Sequence, residues 1–218
     1  MRPDRTPPAV EGAPVKQRWY DGPLYAWFYD PVEADKRAQI AAWIPPGASV
    51  VDLASGTGAL AFALAENGRR VLGLDISPRM HAWCRRRQEK LNLSGLSFVL
   101  GDATRATECL NQTYDYAVAS LLIHELPETE RTAVLAEAGR AASRIILSDF
   151  AAPPPSNFRG LANHWMEFFI GGRENFRVYR EYQAGGGLPG VLSRAGMPIL
   201  DRKTDRHGAC EFILTRAA

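Results

Sequence analysis

The stretch VVDLASGTGAL (50–60) decides the fold. An apolar run ends on an acid at Asp52, a glycine turn follows, and a small apolar segment suited to a helix comes next. Glycines at 56 and 58 let the backbone turn tightly and let a ligand approach the main chain. Strand, glycine turn and helix in this order open a parallel sheet with crossover helices. Gly56, Gly58 and Ala61 also satisfy the dinucleotide spacing G-x-G-x-x-G/A, so glycine spacing alone leaves the ligand open.

Working outward, apolar runs recur with helical stretches between them. SVVDLA (49–54), RVLGLD (70–75), LSFVLGD (96–102), YDYAVAS (114–120) and RIILSDF (144–150) read as strands. They are rich in Val, Ile, Leu and Phe without clean alternation, as strands covered on both faces should be. Helices are expected at Val32–Trp43, Thr57–Asn67, Pro78–Leu93, Glu128–Ala142 and Leu188–Ala195. MPILDRKT (197–204) and CEFILTR (210–216), joined by the five residues DRHGA, read as a closing antiparallel hairpin. The expectation is an α/β fold: a mostly parallel seven-stranded sheet with an antiparallel terminal strand and helices on both faces. Residues 1–18, proline-rich and lacking an apolar core after their arginines, read as a flexible leader and not as a signal peptide. Residues 19–218 read as one domain, with a substrate-cap insertion at about 151–187 built on the aromatic stretch HWMEFFIGGRENFRVYREY (164–182).

Composition bounds the function. At 218 residues, with 46% hydrophobic and 23% charged, the chain has the makeup of a globular domain rather than of a disordered or fibrous one. Lys+Arg 26 against Asp+Glu 24 gives a net charge of +2, which argues against a dedicated nucleic-acid partner. Cys84, Cys109 and Cys210 are widely spaced, without metal-ligand spacing, so a metal is not expected and reduced thiols in a cytoplasmic protein are. No run approaches the roughly 20 apolar residues of a membrane span.

Charge narrows the ligand. A pyrophosphate wants positive dipoles and no anion beside it, yet Asp52 stands four residues before Gly56. An ammonium or sulfonium would be attracted there. The second strand also ends in an acid, Asp75, where a carboxylate can accept both hydroxyls of a ribose. The third ends in Gly101-Asp102-Ala103, an acid for an adenine amino group followed by an N–H for a ring nitrogen. Three acids at three strand ends describe a nucleoside with a positively charged tail.

VVDLASGTG, VLGLDISPRM, VLGDAT and YDYAVASLLIHEL, in this order and spacing, resemble the class I S-adenosylmethionine-dependent methyltransferases over about Ser49–Phe150. The resemblance implies a Rossmann-like fold and S-adenosyl-L-methionine as cofactor. It implies that Asp52, Ala54, Gly56 and Gly58 hold the methionine part and Asp75 the ribose. Ile76 would pack on adenine, Asp102 and Ala103 would bind its edge, and Ser120 and Leu121 would line the methyl end. Size and the Tyr-Asp pairs at 20–21 and 29–30 look most like the small-molecule branch that includes ubiquinone- and menaquinone-biosynthesis enzymes.

Methyl transfer from a sulfonium needs alignment above all. A base is required only where the acceptor must lose a proton early. His124, just past the fourth strand, is the candidate, although a histidine there can equally serve to pack or orient. The aromatic run Trp19, Tyr20, Tyr25, Trp27, Phe28 and Tyr29 reads either as a helix or turn covering the sheet or as setting a tyrosine, Tyr20, over the sulfonium face, where cation–π contact would help. Tyr29, His164, Trp165, Phe168 and Arg173 are the expected acceptor contacts; Leu161, Trp165, Phe168 and Phe169 would also suit the buried stripe of a helix. Arg85-Arg86-Arg87 with Lys90 reads as solvated surface. The rival functions are an NAD(P)-dependent oxidoreductase, a catalytically inactive nucleoside-binding module, and methylation of a lipid or quinone acceptor. The acceptor atom (O, N, S or C) and the oligomeric state stay open at this level.

Overall fold

The computed structural model describes residues 34–91, 93–156 and 173–217. Helix α1 (Ala34–Ala41) leads into β1 (Ser49–Leu53), every residue of which is buried. Burial on both faces is why the β1 sequence carries no alternation. Gly58 then caps α2 (Ala59–Glu66) from a left-handed conformation, φ 73°. Next come β2 (Arg70–Asp75), α3 (Pro78–Leu91) and β3 (Leu96–Leu100). A 3-10 turn at Ala103–Glu108 precedes β4 (Tyr114–Ser120), and a second at Ile123–Glu125 precedes α4 (Glu128–Ala141). β5 (Ala142–Phe150) follows α4 without a loop.

The seven strands form one sheet in the order β3-β2-β1-β4-β5-β7-β6. β1 runs parallel to β2 and to β4, and β5 runs parallel to β4. The chain steps one way from β1 to β3 and the other way from β4 to β5. Right-handed crossovers therefore place the connecting helices on opposite faces. The reversal between β1 and β4 is the switch point where open α/β sheets bind ligands.

The closing hairpin is antiparallel, as its short linker predicts, but its order is not that of the chain. β7 (Cys210–Thr215) inserts between β5 and β6 (Ile199–Thr204). Hydrophobicity decides which strand takes the inner slot. Cys210–Ile213 is buried throughout, whereas every residue of Ile199–Thr204 is exposed. Asp201, Arg202 and Lys203 give the outer strand a charged edge that discourages further pairing.

A helix α5 runs through 173–184 and is followed by α6 (Gly187–Arg194). Tyr179 and Tyr182 of α5 are buried in the same core as β5, so this face supports the sheet. A Cβ on Gly187 would lie 2.6 Å from Ala152 Cβ, which makes that glycine a close-packing position. On α3, Met80 and Cys84 face inward while Arg85, Arg86 and Lys90 are exposed; Arg87 lies over the Phe62 ring at 4.1 Å. Among the described residues no helix is long and apolar enough to cross a membrane.

Candidate active site

The glycine turn is held by its own strand neighbours. Ser55 N donates to Leu74 O on β2 at 2.9 Å, and Gly58 N donates to Ser55 O at 2.8 Å. Gly56 N donates to Asp75 Oδ2 at 2.7 Å, and Asp75 Oδ1 accepts from Ser77 N at 2.8 Å. One carboxylate thus ties the turn after β1 to the turn after β2. The ring of Phe98 fills the space beneath; a Cβ on Gly58 or Gly73 would come within 2.9 and 2.5 Å of it. Above Gly56, at φ 54°, the corresponding space is open. Ala54 takes a left-handed φ of 60° without being glycine, a strained conformation of the kind that gathers at ligand sites.

Asp52 lies near the end of β1 at 2% exposure, and its Oδ2 is buried with no hydrogen-bond donor. Loss of solvent, with the repulsion of Asp75 added, pushes its carboxyl up to about 8. Just past β3, Asp102 Oδ1 accepts from Thr104 N and Thr104 Oγ1, both at 2.8 Å, and so starts the 3-10 turn. That turn is anchored to α4 by Glu137 Oε2, which accepts from Thr107 N and Oγ1 at 2.6 Å. Ile76 stands 41% exposed between the second and third acids, an apolar surface in the place expected to meet adenine.

Past β4, Leu121 is the second non-glycine in the left-handed region, at φ 54°, and its N–H donates to Ser148 O at 2.7 Å. The 3-10 turn it leads into carries His124, which is 2% exposed. Nδ1 of His124 lies 2.6 Å from Asp149 Oδ1, and His124 N donates to Asp149 Oδ2 at 3.1 Å. With Nδ1 engaged by the Asp149 carboxyl, other chemistry at the ring runs only through Nε2, on the opposite edge of the imidazole. Phe150, Tyr179 and Tyr182 surround the imidazole, with centroids at 4.6, 6.2 and 6.4 Å. Tyr182 Oη donates to Phe150 O at 2.8 Å, and its burial near Asp149 and Glu211 keeps that hydroxyl protonated well beyond the ordinary range. Arg131, almost wholly buried on α4, holds the assembly together. Its Nε donates to Ile123 O and its Nη2 to Val178 O, each at 3.0 Å.

Known proteins share this fold. A family model described as "Methyltransferase domain" matches residues 50–144, the stretch from the glycine turn through β5's first residues. Over residues 50–144 the chain is thus similar to a methyltransferase domain. A demethylmenaquinone methyltransferase of Beutenbergia cavernae is 30% identical over 126 residues, covering 57% of this chain and 50% of that protein. The chain thus spans about half the length of that curated relative. In fold it resembles magnesium protoporphyrin IX methyltransferase of Synechocystis PCC 6803, solved with S-adenosylhomocysteine bound. The TM-score is 0.59 and the identity 22%, with 84% of this chain and 83% of that one covered. A Pyrococcus horikoshii OT3 protein superposes with a TM-score of 0.68 at 19% identity, over 91% and 95% of the two chains.

The fold places most of the sequence-expected residues along the carboxyl edge of one sheet. Asp52 lies near the end of β1, with Ala54, Gly56 and Gly58 after it; Asp75 ends β2 and Ile76 follows; Asp102 and Ala103 follow β3; Ser120 ends β4 and Leu121 follows. An orphaned buried carboxyl oxygen, an open space above Gly56 and an exposed Ile76 fit a nucleoside with a cationic tail. A carboxylate has room for about four hydrogen bonds, so Asp75 can hold its two amides and a ribose together. Tyr20, Tyr29, His164, Trp165 and Phe168 lie outside the described residues, as do the leader and residues 157–172 of the expected cap. Arg173 is exposed on α5, beside Phe176 and Arg177, and none of its described contacts reaches His124. Asp149, Tyr182 and Arg131 were missed by the sequence reading. Asp149 had a signal, because an acid ends the fifth strand just as acids end the first three.

Proposed function

We propose that the protein is a methyltransferase that moves the methyl group of S-adenosylmethionine to a small-molecule acceptor, with His124 as the base that takes the acceptor's proton. The cofactor supplies an electrophilic methyl on a positively charged sulfur. Asp52, Ala54, Gly56 and Gly58 would hold its methionine part, Asp75 its ribose, and Ile76, Asp102 and Ala103 its adenine. Asp149 fixes the His124 ring and balances the imidazolium formed when Nε2 takes a proton. Burial among Phe150, Tyr179 and Tyr182 excludes water from that step and favours an aromatic or other apolar acceptor.

The observation that carries this reading is the His124–Asp149 pair at 2.6 Å, set one strand away from the glycine turn. A base of this kind suits a protic acceptor, such as a ring hydroxyl, that becomes nucleophilic on losing its proton. The near-zero net charge supports a partner other than nucleic acid, and the reduced cysteines support a cytoplasmic location. A quinol is the second acceptor class, favoured by the apolar walls and by the name of the Beutenbergia cavernae relative. The deciding experiment incubates the protein with methyl-labelled S-adenosylmethionine and a metabolite extract, with and without a lipid-soluble fraction. Label in a water-soluble product supports the first class and label in the lipid fraction the second. Cofactor binding with no labelled product in either fraction would leave a nucleoside-binding module.

A further inference from the structure

Asp52 is buried beside another acid, and among the described residues no counter-charge faces it. The described elements packed against it are specific on this point. β2 sets Gly73 opposite it and Asp75 at its end. β4 sets Val118 opposite, and Ala117–Ser120 carries no ionisable side chain. Between Ala59 and Ala65, α2 carries none either. Cys84 of α3 turns its thiol to Gly56 O at 3.3 Å. Beyond the neighbouring strand ends stand Asp102, engaged with Thr104, and His124, whose Nδ1 edge faces Asp149. Asp75 is the charge that acts on Asp52, and it repels.

A desolvated carboxyl next to a carboxylate keeps its proton near neutral pH. A neutral acid attracts a cation weakly, whereas a buried carboxylate attracts it strongly, because the local dielectric is low. We propose that Asp52 is a proton-coupled selector for the cofactor's positive charge: entry of the cation expels the Asp52 proton, so each binding event releases one proton to solvent. This rests on the cofactor reading of the glycine turn. The Asp52 O–H bond breaks, its electron pair stays on the carboxylate, and the proton passes to buffer. The arriving cation replaces the proton as the neutralising charge, so the pocket never holds two uncompensated acids.

Titration calorimetry on the full chain counts the released protons. S-adenosylmethionine and S-adenosylhomocysteine are each titrated at pH 6.5 in buffers of different ionisation heat. At that pH a carboxyl titrating near 8 is almost fully protonated, and about one proton per site is expected to leave. Release with both ligands assigns the effect to the α-ammonium, and release with S-adenosylmethionine alone assigns it to the sulfonium; either supports the proposal. Binding whose heat is independent of buffer overturns it and leaves the cofactor reading standing. No binding of either ligand overturns both. D52N should bind with no such release, and release that persists in D52N overturns the assignment to Asp52. Should that variant fail to fold, wild-type affinity for S-adenosylmethionine decides. It should tighten about tenfold per pH unit between roughly pH 5.5 and 7.5, and a flat profile overturns the proposal.

Discussion

Two pairs of acids are buried in the sheet, and the molecule treats them differently. Asp52 and Asp75 stand at the neighbouring ends of β1 and β2, while Asp149 and Glu211 lie opposite each other on β5 and β7. In the second pair each acid has a partner carried by the chain: His124 Nδ1 at 2.6 Å from Asp149, and Arg202 Nε at 2.7 Å from Glu211. In the first pair Asp75 takes two backbone amides, and Asp52 keeps an oxygen without a donor. Buried charges are tolerated when paired and costly when not. The second pair also leaves one oxygen, Glu211 Oε1, without a donor, but each of its acids meets a histidine or arginine of the chain, so it belongs to the frame and positions a side chain. The pair left short of positive charge is the one suited to receive it from a ligand.

The contrast is broken most strongly at His124. If its lone pair takes a proton in the reaction, His124→Ala should lower turnover by about 10²–10⁴-fold. S-adenosylhomocysteine affinity should stay within about twofold, because the first acid pair is untouched. Labelled methyl transfer measures the first quantity and calorimetry the second. Unchanged turnover would reduce His124 to a packing residue. Next in size is Asp149→Ala, which leaves the His124 turn without its anchor. Breaking a buried pair costs about 3–5 kcal/mol, so urea unfolding should show most of the domain's stability lost. A loss below about 1 kcal/mol would mean that Asp149 is not part of the frame.

These two residues also mark where the sequence stopped being legible. The carboxyl-edge acids Asp52, Asp75 and Asp102 could be read because each ends an apolar run beside a turn, a local pattern. Asp149 ends such a run too, but its meaning lies in a partner 25 residues away that only the packing of β4 against β5 brings near. Tyr179 and Tyr182 read as cap residues because their segment follows a proline run. They are core because β5 offers them Phe150 and because Arg131 of α4 bonds to Val178 O. Arg131 itself had no signal, since an arginine on a helix reads as surface. Strand order in the closing hairpin was not legible either: a five-residue linker predicts pairing, and the burial of Cys210–Ile213 against the exposed, charged β6 shows which strand lies inside.

A third experiment sharpens the comparison from the side of the first pair. The folded Asp52 carboxyl sits near 8, above the ordinary value of 3.8. The native state therefore binds the proton more tightly than the unfolded chain does. Stability from this group is fully present below about pH 4 and is lost as the pH rises toward 8. In that window the slope is about 1.4 kcal/mol per pH unit. Asp52→Asn, which stays neutral, should remove that slope, so the variant should be the more stable protein at pH 8 without cofactor. Chemical denaturation at pH 5, 6.5 and 8 reads the difference directly. Parallel pH profiles for the two proteins would show Asp52 already ionised.

The smallest effect is expected where the second pair meets solvent. Arg202 is about half exposed, so its bond to Glu211 is partly screened, and Arg202→Ala should cost only about 1 kcal/mol at pH 7. The informative quantity is its pH dependence. Burial, with Asp149 adding to it, raises the Glu211 carboxyl above its ordinary range, and Arg202 opposes that rise. Without the guanidinium the folded carboxyl should rise further. More of the protein's stability should then depend on protonation and be lost as pH climbs from about 5 toward 7 and above. Arg202→Lys, which keeps the charge and loses the guanidinium geometry, should recover most of the profile. Equal pH profiles for the wild type and Arg202→Ala would mean that the protonation of Glu211 does not depend on Arg202. Both acid pairs would then contain an acid whose protonation no described cation sets. What would still separate them is the His124 contact to Asp149, which the first pair has no counterpart for among the described residues.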